Sequence, residues 1–200
     1  MKEEQQEKES FFSSVKASFW GRIPWLILLF ALGMLVSGVA GLFEEIVAHL
    51  SVIVSFQSLV LGMAGNAGTQ SLAVTIRAMT EQRMTPRQMR LLVLRESGVG
   101  LCNGLVLGAL SFFLIGAYLH WIRGHTRGFS FSISFCTALA LFFSMTLSGI
   151  AGSVIPLLCK RLHIDPTVAS GPFITTVNDL VAVVAYYGLA WLLLIRWRGM

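Results

Sequence analysis

Charge is what this sequence has least of. Only 12% of its 200 residues are Asp, Glu, Lys or Arg, against about 25% in an ordinary soluble domain. So few charges cannot cover a water-facing surface, which excludes an ordinary soluble enzyme or binding domain. Cysteine is also scarce. Cys102, Cys136 and Cys159 stand alone, with neither the paired spacing of a zinc site nor a partner for a disulfide framework, so they read as small packing residues. His49, His120, His125 and His163 fall at the ends of apolar runs or between them, and no catalytic constellation forms around them. No enzyme is expected. The polar and apolar alternation of a membrane barrel is missing as well.

What is present is apolar length. Hydrophobic residues make up 55% of the chain and gather in five runs, roughly 23–43, 51–79, 91–119, 129–158 and 171–195. Each is long enough to cross a hydrocarbon core about 30 Å thick, and such spans satisfy their backbone polar groups only as helices. The expected fold is therefore an all-α integral membrane protein with five transmembrane helices. Most Lys and Arg residues, from Lys2 to Arg22, from Arg77 to Arg95 and at Lys160 and Arg161, fall on one side; Arg123, Arg127, Arg196 and Arg198 fall on the other. That asymmetry places the N-terminus inside and the C-terminus outside. It also accounts for the net charge of +5 without nucleic acid as a partner.

Residues 1–21 form a cytoplasmic tail and 22–200 the membrane domain. The tail is charged from Lys2 to Ser10 and is expected to be disordered there. Phe11, Phe12, Val15, Phe19 and Trp20 then recur at helical spacing, as in a helix lying along the bilayer surface. Small residues repeat every fourth position at Gly33, Ser37 and Gly41, at Gly100, Gly104 and Gly108, and at Ser144, Ser148 and Gly152. These are faces for close helix packing, within one chain or between copies.

Two spans carry more than packing. In the last, Asp179 stands alone roughly 10 Å inside the membrane, counted at about 1.5 Å per residue, where an ionisable group marks an ion or substrate path by default. The middle of the second reads Gly62-Met63-Ala64-Gly65-Asn66-Ala67-Gly68-Thr69-Gln70. Asn66 and Gln70, one turn apart, are able to offer carbonyls to a cation or its water shell, and the glycines let backbone carbonyls approach it. Hydrogen bonding of these amides to neighbouring helices is the equal alternative. Arg95 and Glu96 read as an interfacial anchor with a local ion pair. Glu44, Glu45 and His49 cluster at the outer end of the first span.

The second-span motif, followed by Arg77 and Arg95-Glu96, resembles the signature of the transmembrane domain of the MgtE family of magnesium channels and transporters. A second block agrees: Ile155-Pro156-Leu157-Leu158-Cys159-Lys160-Arg161-Leu162, Ile164-Asp165-Pro166, Ala169-Ser170-Gly171-Pro172-Phe173, Thr175-Thr176 and Asp179. Arg22-Ile23-Pro24-Trp25-Leu26 and Gly41-Leu42-Phe43-Glu44 are also similar to the family's first helix, so the likeness begins at residue 22.

The resemblance implies a five-helix protomer that forms a homodimer around a cation pore in a bacterial inner membrane, with Asp179 at the central magnesium site. It implies metal contacts at Asn66, Asp165 and Glu44, and a pore lining that includes Gly62, Gly65, Gly68, Thr69, Gln70, Gly171, Thr175 and Thr176. The cargo is Mg2+, with Mn2+ and Co2+ as alternatives. The family's N-terminal helical domain and paired CBS modules have no counterpart in these 200 residues, so a separate cytoplasmic regulator is a candidate partner. An ion-coupled exporter or exchanger, and a non-conducting membrane subunit that serves a separate sensor, are the competing readings.

Overall fold

The computed structural model describes residues 2–81, 84–163 and 171–196, the side chains of 2–10, Ile46, His49, Ile195 and Arg196 excepted. Regular structure among them is entirely helical. The order is α1 (Lys2–Gly41), a short α2 (Glu44–His49), one 3₁₀ turn (Ser51–Ile53), α3 (Val54–Glu81), α4 (Pro86–Ala117), α5 (Arg127–Arg161) and α6 (Gly171–Ala190). Single π turns, Tyr118–Ile122 and Trp191–Arg196, follow α4 and α6. Five stretches are long and apolar enough to cross a membrane: Phe11–Gly41, Ser51–Glu81, Pro86–Ile122, Arg127–Arg161 and Gly171–Leu194.

The chain divides into two compact units, one through Leu35 and one from Val36 onward. In the first, α1 is already helical at Lys2, where disorder through Ser10 was expected. The reason is local: Glu, Gln and Lys fill this stretch, and all three are good helix formers.

In the second unit the helix boundaries follow from sequence. Thr85 caps α4 and exchanges hydrogen bonds with Gln88, and Pro86 takes the first helical position, where its missing N–H costs nothing. Thr126 caps α5 by accepting from the Phe129 N–H. Gly124, at φ 71°, makes the preceding turn in the left-handed region open to glycine. His163, at φ 59°, ends α5, its N–H reaching the Lys160 carbonyl.

The glycine repeat of α4 packs within the chain, against α5. A Cβ built on Gly100, Gly104 or Gly108 would lie 2.8–2.9 Å from the backbone of Met145, Phe142 or Ala138, so backbone meets backbone and nothing larger than glycine fits. The core behind this seam joins α3, α5 and α6 through Val60, Ala64, Cys136, Ala140, Leu141, Val183 and Tyr186. The buried Tyr186 hydroxyl donates to the Ile53 carbonyl at 2.8 Å. Cys136 is thus a packing residue, whereas Cys102 lies exposed on α4.

Candidate functional site

Where α3 passes α6, the two helices leave a groove of about 540 Å³. One helical stripe of α3 lines it, through Val54, Gln57, Ser58, Leu61, Gly62, Gly65, Asn66 and Thr69, and α6 adds Thr175 and Asp179. From Val54 to Thr69 the stripe extends roughly 22 Å at about 1.5 Å per residue, most of a hydrocarbon core. The close approach has a simple cause. Gly65 presents no side chain, and a Cβ there would already touch the Thr175 methyl at 3.4 Å.

The groove chemistry is oxygen chemistry. Asp179 is half-buried, with no hydrogen bond or ion pair to any described residue. Its carboxylate is an acceptor whose capacity the protein leaves unused. Thr69 donates its hydroxyl proton to the Gly65 and Asn66 carbonyls at 3.0 and 3.1 Å, and Thr175 donates to the Gly171 carbonyl at 2.9 Å. With both protons committed within their own helices, the hydroxyl oxygens are free to accept. Asn66 is exposed on the same stripe. At the upper end Gln57 accepts from the Tyr187 hydroxyl at 2.6 Å, which fixes the amide that borders the groove.

A hydrated divalent cation suits this set. Magnesium prefers six oxygens at about 2.0–2.1 Å and keeps most of its water, so one carboxylate with several outer acceptors serves better than a dehydrating cage. No group of three or more His, Cys, Asp or Glu side chains that could hold a metal occurs among the described residues.

The groove thus brings together Asp179, Asn66, Gly62, Gly65, Thr69 and Thr175. It leaves the other sequence candidates elsewhere. Gly68 is buried on another side of α3, beneath Asn178 of α6, where a Cβ would overlap the amide. Gln70 is exposed on α3 outside the groove. Gly171 and Thr176 stand in the first turns of α6, with Thr176 donating to the Pro172 carbonyl at 3.0 Å. Glu44 is exposed in the first turn of α2. Asp165 lies outside the described residues. Gln57 and Ser58, which the motif did not single out, continue the spacing of Leu61, Gly62, Gly65 and Asn66 one turn further, and that periodicity was the available signal.

Glu96 departs from the expected interfacial ion pair. It is only 5% exposed and accepts from the Ser71 hydroxyl of α3 at 2.9 Å, while Arg95 is exposed. Neighbouring residues on a helix point about 100° apart, so one of the two turns inward.

Comparison with known proteins gives the family. A family model, MgtE, described as a divalent cation transporter, matches residues 57–189, which include most of α3 and of α6. The magnesium transporter MgtE of Enterococcus faecalis is 38% identical over 169 residues, 84% of this chain and 35% of that protein. Its namesake in Bacillus subtilis is 32% identical over 90% of this chain and 38% of its own length. The Thermus thermophilus protein of the same name is 32% identical over 89% and 37%. The chain therefore spans little more than a third of the length of these relatives. On the family match across most of its membrane helices, this five-span membrane protein belongs to the MgtE divalent cation transporter family.

Proposed function

We propose that the chain forms the membrane pathway of a magnesium transporter in a bacterial plasma membrane, and that hydrated Mg2+ passes along the α3–α6 groove with Asp179 as its principal charged contact. The observation that carries this reading is a half-buried carboxylate at membrane depth, in a groove that Gln57, Ser58, Asn66, Thr69 and Thr175 also line, unpartnered among the described residues. Such a group is costly in a bilayer unless it meets a counter-charge, and a passing cation is that counter-charge. The relatives named magnesium transporters point to the same cargo.

One groove wall is missing from a single copy. Ser58, Gly62 and Asn66 are exposed in a span that crosses the membrane, where lipid tails satisfy no polar group. A second copy packed over the groove would cover them and bring a second Asp179 toward the first. Two carboxylates favour a divalent ion, which compensates both charges, over a monovalent one, which compensates one. The N-terminus then faces the cytoplasm, with the Lys- and Arg-rich ends of the helices.

The test is magnesium flux through purified protein in liposomes. Asp179→Asn keeps the shape and removes the charge. It is expected to lower flux at least about tenfold, the factor given by about 1.4 kcal/mol of lost ion stabilisation. Undiminished flux in that variant would sink the assignment.

A further inference from the structure

A second cavity lies at the Lys- and Arg-rich end of the bundle, apart from the ion groove. It occupies about 670 Å³ between the first turns of α4 and the last turns of α5. The glycine seam explains why it is there. The two helices run backbone to backbone from Gly108 to Gly100, and a Cβ on Gly149 would still lie 3.0 Å from the Glu96 carbonyl. Before Gly98, α4 contains no glycine, and larger side chains hold the helices apart.

The cleft has two chemistries. Val93, Val154 and Leu157 make an apolar floor, while Arg90, Lys160 and Arg161 line its edge and are exposed. None of the three is ion-paired among the described residues, where the one ion pair joins Arg77 to Glu81. Three cations beside an apolar slot, at the end of a membrane bundle, match an amphiphile with an anionic head and an acyl tail. A soluble anion would make no use of the floor, and a zwitterionic lipid would leave the cations largely uncompensated.

We propose that this cleft binds an anionic phospholipid, with its phosphate held by Arg90, Lys160 and Arg161 and the first carbons of an acyl chain seated between α4 and α5. Arginine forks suit phosphate oxygens, and the lysine adds a point charge. The lipid completes α4–α5 contact where the glycine seam stops. This reading depends on the membrane placement alone and is independent of the cargo.

Native mass spectrometry of the purified full chain, offered equal amounts of phosphatidylglycerol and phosphatidylcholine, tests it. Retention of phosphatidylglycerol is expected to exceed that of phosphatidylcholine by at least about tenfold, as neighbouring cations each favour anionic lipid. The combined change Arg90→Gln, Lys160→Gln and Arg161→Gln should abolish the preference, and Arg123→Gln, at the other end of the bundle, should leave it intact. Val154→Trp keeps every cation but fills the floor, and it too should reduce retention. A preference that survives the triple change, or phosphatidylglycerol retention that is undiminished in Val154→Trp, overturns the site. Displacement of the lipid by excess glycerol phosphate would assign the cleft to a soluble anion and overturn it equally.

Discussion

At the scale of single residues, the contact between Gly68 and Asn178 sets how near α3 and α6 can come. Asn178 is fully buried, and neither its amide oxygen nor its nitrogen meets a partner among the described residues. A buried polar group in that state costs about 1–3 kcal/mol, so packing on Gly68 is what the side chain contributes. On this account Gly68→Ala forces the helices apart, destabilising the protein by about 1–3 kcal/mol as overpacking does. It also widens the groove that Thr69 and Thr175 share. Asn178→Ala removes the obstructing amide, and the double variant should recover most of the lost thermal stability and flux. Additive losses in a double-mutant cycle, read by thermal unfolding in detergent, would refute the coupling. The sequence made Gly68 conspicuous without saying what approached it, because a mid-helix glycine admits an ion and a neighbouring side chain equally well. Glu96 was misread for a related reason: adjacency to Arg95 in sequence is not adjacency on a helix, and the inward partner, Ser71, lies 25 positions away.

At the scale of helices, far more was legible. Apolar length alone located all five spans, because backbone satisfaction in lipid leaves no alternative. The α3 stripe was visible in part, since its glycines and amides stand out while Gln57 and Ser58 look ordinary until the helical period is followed outward. Hidden from sequence was which partner each small face meets. For α4 the partner is α5 of the same chain, and this carries a sharp expectation. Gly104→Leu would drive a side chain into Phe142, where even a Cβ would lie 2.9 Å from the Phe142 backbone. That change should lower stability by about 1–3 kcal/mol or more, whereas Leu105→Ala, at an exposed position one residue on, should leave the melting temperature nearly unchanged. Equal shifts in the two variants would mean that the seam is not what joins these helices.

At the scale of the whole molecule, the exposed side of the groove bears on the proposed pairing of two copies. If two copies share one path and both Asp179 carboxylates act on one ion, an active unit requires two intact chains, and a mixed unit carries one uncompensated position. Co-reconstituting the native chain with Asp179→Asn in equal amounts, after exchange of copies in detergent, should leave about a quarter of the native flux, the share of units with two intact chains in a closed two-fold assembly. Independent protomers would leave about half, each native copy working alone. The mass of the detergent-solubilised protein gives the second readout, with two chains expected per particle. A one-chain particle with linear loss of flux would overturn the shared path while leaving Asp179 in place within a single groove. In that case the exposed Asn66 and Ser58 would face lipid or water rather than a second copy, and the preference for a divalent ion would rest on one carboxylate and its hydration shell.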